Sequence, residues 1–347
     1  MSRKSINKKR FLSILLCIAL LLITVLPIYA DSSDQGKEVI VGGCLFGLRM
    51  QTKGILIVGL DKVEAQKETK APAFDAGIKL KDVIIKINGK VVTSTTQVTE
   101  CILSCKGKPV VFTVQRGAEI KEISVTPLLA KDGKYHAGIW IRDSAAGIGT
   151  VTYIDPQTYE FAGLGHGICD GDTTSLLPLS RGIVTEVTLS SVIKGQKGVP
   201  GELKGSFKGG KVGSLINNTE NGVYGIYTSL PGGIGQKMKT AAFSEVYEGD
   251  AFIRSDVSGR IQDYKIKIEK INTKNTGGKN LTIKVTDEAL LKITGGIVQG
   301  MSGSPIIQNG KLVGAVTHVL INDPTTGYGI FIENMLNAVQ MPMAKAS

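Results

Sequence analysis

The chain has 347 residues and a formal net charge of +11, with 41 Lys and Arg against 30 Asp and Glu. That length exceeds one ordinary domain and suits two, and a hydrophobic content of 42% with no low-complexity stretch allows real cores. The positive charge gathers in no arginine-rich helix and no aromatic-basic interleaving, so nucleic acid is excluded as a partner, and 43 glycines with few aromatics favour short strands and turns over long helices.

The N-terminal ten residues, MSRKSINKKR, hold five basic side chains and no acid, and residues 11–30 run without a charge to Tyr29-Ala30. A basic region before a long apolar segment reads as export. The segment approaches the roughly 20 residues that cross a bilayer, so 1–30 is expected to be an N-terminal apolar helix, either a cleaved signal peptide or a retained membrane anchor. Both place everything after Asp31 outside the cytoplasm. Without the five leader charges the remainder carries +6 (11 − 5), a mildly basic domain comfortable near anionic lipid. Cys17 lies in the leader, and Cys44, Cys101, Cys105 and Cys169 lie beyond it. A chain this large does not need disulfides, and no pairing is predicted. With no CxxC pair, and with His136, His166 and His318 far apart in sequence, no metal and no cofactor are expected.

Residues 38–129 read as one α+β unit. KEVIVGG and GILIVGL are strands, APAFDAG a short helix ending at Gly77, VIIKI a strand, and Asn88-Gly89 a turn. TSTTQVTECILSC begins with capping residues and continues with Val98, Cys101, Ile102 and Cys105 at helical spacing. PVVFTVQRG and EIKEISVTPL close the unit as paired strands. The segment PAFDAGIKLKDVIIKINGK carries a close resemblance to PDZ domains. Leu45-Phe46-Gly47-Leu48 then falls where such domains bind a terminal carboxylate, and the strand that follows could accept a peptide tail.

Residues 130–347 change pattern. Short alternating runs such as GIVTEVTLSSVI, GELKGSF, GVYGIYTSL, DYKIKIEKI, LTIKVTD, KLVGAVTHVL and YGIFIENM, broken by Gly and Asn, argue for an antiparallel barrel or sandwich, with room for two small barrels.

The stretch GGIVQGMSGSPII crowds small residues and a proline between branched apolar runs. A turn of this kind can present Ser302 Oγ while the N–H groups of Gly300 and Ser302 converge on one spot. A serine nucleophile needs those donors for its oxyanion, and a base. His166, flanked by Gly165 and Gly167, is the candidate base. His318 sits on an alternating strand and reads as a structural histidine, and His136 as a surface one. On spacing alone the orienting carboxylate stays open between Asp287, 15 residues before the serine (302 − 287), and the nearer Asp170 and Asp172. Cys169 is a weaker alternative nucleophile, with no glycine-rich turn beside it.

Taken together, IRDSAAGIGTVTYIDPQTYEFAGLGHGICD, KVTDEALLKITGGIVQGMSGSPIIQNGKLVGAVTHVLINDPTTGYGI and the PDZ segment resemble the SpoIVB peptidases, the stage IV sporulation protein B family. The resemblance implies a mainly β chain, with a PDZ domain followed by a chymotrypsin-like double β-barrel serine peptidase. It places the triad on His166, Asp287 and Ser302. GMSGSP parallels the GDSGGP of chymotrypsin-like enzymes, but Met301 cannot make their activating ion pair. The resemblance further implies self-cleavage in the 31–70 region and location between the membranes around the forespore. It implies a substrate in the extracytoplasmic part of a membrane-bound sporulation regulator, whose cutting triggers activation of the mother-cell sigma factor. The PDZ unit would hold peptide tails. The strand 315–319 is expected to line substrate. The competing expectation is an inactive PDZ scaffold that recruits another protease.

Overall fold

The computed structural model describes residues 36–275 and 277–340. The leader expected over 1–30 lies outside them, as does the first part of the expected self-cleavage region. Among the described residues no helix is long and apolar enough to cross a membrane.

Period-2 alternation builds the second barrel. In the strand Gln262–Ile271, Tyr264, Ile266 and Ile268 are buried, while Lys265 and Lys267 face water. This strand joins Gly249–Ser255, Leu281–Val285, Asp323–Phe331, Lys311–Leu320 and Pro305–Gln308 in a closed six-stranded ring. Ile253, Leu281, Ile283, Ile306, Val316 and Phe331 fill it. The stretch YGIFIENM is only half strand: its C-terminal residues open the helix Ile332–Gln340.

The first barrel is also a closed ring. Leu45–Leu60, Ile139–Ile154, Glu160–Gly163, Gly222–Tyr227, Gly213–Thr219 and Leu179–Thr185 pair in that order, and the last returns to the first. Phe46 and Phe161 pack edge to face in its core, with ring centroids 5.6 Å apart. Glu38–Val41 pairs with the end of Ile139–Ile154, outside this ring.

The expected boundary between a PDZ unit at 38–129 and a peptidase at 130–347 is therefore corrected. Residues 38–53 belong to the peptidase, and the PDZ unit is an insertion in the hairpin between the first two strands of its first barrel. Two 16-residue strands, Leu45–Leu60 and Ile139–Ile154, run through both. The crossing is marked by Gly54 at φ +82° and by a register shift between Arg142 and Ser144. On the PDZ side Ile55, Ile57, Ile84, Val98, Ile102, Phe112 and Val114 form a separate core. The expected local signals appear there: Ser94 caps the helix Thr95–Ser104 through Gln97 N–H, and Asn88-Gly89 turns with φ of 48° and 77°.

Candidate active site

The turn that carries Ser302 hangs between the barrels. The helix Glu288–Thr294 ends on left-handed Gly295, and the chain then folds through Gly300 at φ +100° and Gly303 at φ +93°. Gly303 has no room for a side chain: a Cβ there would lie 2.0 Å from Thr150 O and 2.5 Å from Leu164 N. Gly303 N–H donates to Val316 O at 2.7 Å, which ties the turn to the second barrel. Two buried threonines tie it to the first. Thr150 Oγ1 donates to Gly300 O and Thr152 Oγ1 to Gly303 O, both at 2.8 Å. These threonines were missed in the sequence. Their signal was present in GIGTVTYI, where hydroxyls two apart share one strand face in an apolar run, and buried hydroxyls must find partners.

Neither Gly300 N–H nor Ser302 N–H has an acceptor among the described residues. These are the two donors expected to hold an oxyanion. Met301, between them, is fully buried.

His166 reaches the same seam from the first barrel. Thr150 stands between the two residues: its N–H donates to Ser302 O at 2.9 Å, and its carbonyl accepts from Leu164 N–H at 3.3 Å, two residues before His166. The loop after His166 is fixed by Asn218, whose Oδ1 accepts from Ile168 N–H and whose Nδ2 donates to the carbonyls of Ile168 and Leu177. Asp170 and Asp172 extend that loop onto Arg142. Arg142 Nη1 lies 2.7 Å from Asp170 Oδ2 off the hydrogen-bond line, and Nη2 donates to Asp172 at 3.0 Å. Burial alone would raise the Asp170 carboxyl, but bonds from Thr173 and the Arg142 charge hold it below the usual range. Asp170 thus anchors the loop and, among the described residues, makes no hydrogen bond to the imidazole.

His166 and Ser302 are not bonded to each other. Ser302 Oγ donates to Thr317 O at 2.8 Å. His166 Nδ1 lies 2.9 Å from Gly167 O. A carbonyl only accepts, so Nδ1 carries the proton and Nε2 of the neutral ring is left as a base. Burial pushes the His166 imidazole below its ordinary value, and the Gly167 carbonyl partly opposes this.

Among the described residues Asp287 makes no hydrogen bond to the imidazole, where it was expected. It is the N-cap of Glu288–Thr294: one carboxylate oxygen accepts Leu290 N–H at 3.0 Å and the other Lys265 N–H at 3.1 Å. Asp287→Ala should therefore cost about 1 kcal/mol in urea denaturation, and Asp287→Asn less, because the amide oxygen still caps Leu290 N–H although Nδ2 cannot accept from Lys265 N–H. A folded Asp287→Asn protein whose Ser302 loses more than about tenfold in reactivity would return this carboxylate to the imidazole, since a misoriented base costs about 10⁴.

His318 is likewise not a core histidine. Its side chain is exposed, and its ring lies 5.0 Å from that of His166. The covered part of the ring loses solvation, and this, then the charges of His166 and Lys279, pushes it down to about 4. Within 315–319 Ala315, Val316 and Thr317 are buried, so only His318 and Val319 present side-chain surface that can border a substrate. His136 is a surface residue, with Nε2 2.9 Å from Asp132. The Cys169 thiol is raised by burial and by the charges of Glu220 and Asp170, which weakens it as a nucleophile.

The expected carboxylate loop is also corrected. Leu45, Phe46, Gly47 and Leu48 pair with 147–150 on one side, and Gly47 and Leu48 also pair with Val184 and Thr185 on the other, inside the barrel wall. Gly47 is small because a Cβ would meet the Phe207 ring at 2.3 Å, not because it cradles an anion. The strand beside the helix Thr95–Ser104 is instead 139–143, where Asp143 accepts from Thr95 N–H at 2.7 Å.

Two six-stranded barrels, with a serine in a glycine turn and a histidine on one seam, define a serine endopeptidase. A SpoIVB peptidase S55 family model matches residues 133–336, and a PDZ domain model matches 45–126. The chain belongs to the SpoIVB peptidase S55 family. No curated protein matches it. Among solved structures it is similar to the Rv3671c protease of M. tuberculosis. The inactive form of a Ser-to-Ala mutant is 15% identical, covers 57% of this chain and 85% of that one, and has a TM-score of 0.32. The active form is 16% identical, with 56% and 72% covered and a TM-score of 0.32. A likeness of that degree says nothing about the site.

Proposed function

We propose that Ser302 is the nucleophile and His166 its base in acyl transfer. The reading rests chiefly on one observation: among the described residues Ser302 N–H and Gly300 N–H stand without acceptors in the turn that carries the hydroxyl. In the reaction Ser302 Oγ leaves the Thr317 carbonyl and passes its proton to His166 Nε2 as it attacks the substrate carbonyl. The freed Thr317 O becomes available to a substrate N–H. Each oxyanion donor is worth about 2.7–4 kcal/mol. The Gly167 carbonyl fixes the imidazole tautomer, although a neutral acceptor steadies an imidazolium less than a carboxylate would.

The enzyme is proposed to act outside the cytoplasm, as the basic-apolar leader supports, in the space around the forespore. It cleaves itself and the extracytoplasmic part of a membrane-bound sporulation regulator. The second cut releases an intramembrane protease that matures the mother-cell sigma factor. Membership of the SpoIVB family supports this substrate, and the PDZ unit supports capture of peptide tails. Residues 38–60 are mostly buried strand. Self-cleavage within 31–70 is therefore proposed before residue 38, or in the exposed hairpin of Val63–Glu64 and Thr69–Lys70. N-terminal sequencing of the purified full chain tests this. Wild type should show a new N-terminus in one of those two stretches, and Ser302→Ala should not. The same new N-terminus in both would refute self-cleavage.

The two lowered histidines set an acid limit. The folded protein binds fewer protons than the unfolded chain below about pH 6.5, so their contribution is complete above that pH and falls as pH drops. His318 is half charged in the fold only at about pH 4. Thermal denaturation should show Tm falling from pH 7 to pH 4.5, with a shallower slope in His318→Gln. The reactivity of Ser302 should persist below pH 6.5 and decline as His166 protonates. Reactivity half lost already above pH 6.5 would contradict the lowered imidazole.

A further inference from the structure

The two oxyanion donors are held by different means. A peptide group is planar and trans, so the carbonyl of one residue and the N–H of the next point to opposite sides. Fixing the oxygen aims the N–H. For Ser302 N–H the opposing oxygen is Met301 O, which accepts from Ser304 N–H at 2.9 Å within the turn itself. For Gly300 N–H the opposing oxygen is Gln299 O, and its donor lies 96 residues earlier: Leu203 N–H at 2.9 Å.

Leu203 belongs to a two-stranded arm, Val187–Ile193 paired with Glu202–Phe207. The arm leaves the first barrel and lies on the second, with Val187, Leu189, Val192 and Leu203 packed into the second barrel's core. Its tip is tied down by Gly195 N–H to Thr294 O and Gly198 N–H to Ile321 O, both at 2.8 Å. Its edge meets the nucleophile segment as a parallel bridge, Glu202 beside Gln299, and Gln299 N–H donates to Gly201 O at 2.9 Å. The Leu203 side chain closes over Gly300, where an added Cβ would lie 3.0–3.2 Å from it. Without that grip the 299–300 peptide could turn over at little cost, because Gly300 has no Cβ to oppose it.

We infer that the arm Val187–Phe207 positions the oxyanion hole, through the bond from Leu203 N–H to Gln299 O. This rests on the proposed roles of Gly300, Ser302 and His166. With the arm displaced, nucleophile and base stay in place and one of two donors is lost. Leu203 is thus a positioning residue that touches no substrate.

A biotinylated fluorophosphonate tests it without a known substrate. Ser302 Oγ forms a bond to phosphorus, the P–F bond breaks, fluoride leaves, and the hydroxyl proton passes to His166. The phosphoryl oxygen occupies the hole. Leu203→Pro removes the N–H on the edge facing Gln299. Its maximal labelling rate should fall about 10²–10³-fold, as for loss of one oxyanion donor, with the inhibitor constant within about threefold. Leu203→Met keeps the N–H and the apolar volume and should label like wild type. Labelling of folded Leu203→Pro at the wild-type rate would overturn the inference, as would a loss carried by the inhibitor constant. Should Leu203→Pro not fold, hydrogen exchange on wild type decides: labelling should raise protection in 199–205 and 297–302 together, and a rise in 297–302 alone would overturn it. Wild type that takes no label on Ser302 would instead sink the nucleophile assignment on which the inference rests.

Discussion

Ser302→Ala is expected to abolish fluorophosphonate labelling and to lower peptide hydrolysis by about 10⁵–10⁶-fold, the scale seen when a serine peptidase loses its nucleophile. Folding should be untouched. Among the described residues the Ser302 hydroxyl makes one bond, to Thr317 O, and Val316 and His318 on either side of Thr317 keep their strand pairing without it. The turn is held by groups that survive the change: Thr150 and Thr152 hydroxyls on Gly300 and Gly303 carbonyls, Gly303 N–H on Val316, and Leu203 N–H on Gln299. A residual acceleration of about 10³–10⁴ over water should remain, because the oxyanion donors are backbone groups. Retained Tm with lost activity is the signature. Activity surviving in the pure variant would move the nucleophile elsewhere, with Cys169 the first to examine by thiol alkylation.

Gly303→Ala should produce the largest stability loss, and a matched substitution isolates its cause. Gly303 and Gly77 have nearly the same φ, +93° and +96°. An alanine at either position carries the same left-handed strain, about 1–2 kcal/mol. The surroundings differ. A Cβ at 77 meets nothing within 4 Å, whereas at 303 it lands 2.0 Å from Thr150 O, a backbone atom in a barrel strand that cannot move alone. Gly77→Ala should therefore cost only the strain. Gly303→Ala should exceed about 4 kcal/mol or fail to fold, which places it among the rare severe substitutions. Urea denaturation of the two side by side checks this. Equal costs would mean the nucleophile turn is free to shift away from Thr150, against the tight seam described above.

Much of the fold was legible from local signals. Alternation marked the barrel strands, as in DYKIKIEKI. Ser94, Gly77 and Asn88-Gly89 marked caps and turns, because those signals depend on neighbours in sequence. The domain boundary was not legible, and the reason is physical. LFGLRMQTKGILIVGL reads as a carboxylate-binding loop followed by a strand of a PDZ unit, yet it forms one strand that spans two cores. Which core each half enters is decided by partners near residues 147–150 and 179–185, roughly a hundred residues away. Gly47 shows the same limit: a glycine made small by Phe207 looks in sequence like a glycine made flexible for a ligand.

The site was legible in part. GGIVQGMSGSPII announced the turn, and Gly165 and Gly167 drew attention to His166. What failed was the carboxylate. Asp287 precedes a short helix at the N-cap position, where one carboxylate oxygen serves the helix through Leu290 N–H, and the other is taken by Lys265 N–H of a neighbouring strand. The supports of the turn, Thr150, Thr152 and Leu203, come from strands 96–152 residues earlier (299 − 203 and 302 − 150), and no spacing rule reaches that far.

Mass mapping of the adduct formed by a fluorophosphonate on purified wild-type protein tests the account most directly. One adduct on the peptide spanning 297–308, at Ser302, with none formed after His166→Ala, is the expected result. An adduct on another serine, or undiminished labelling of Ser302 when His166 is gone, would contradict the pairing of this hydroxyl with this imidazole.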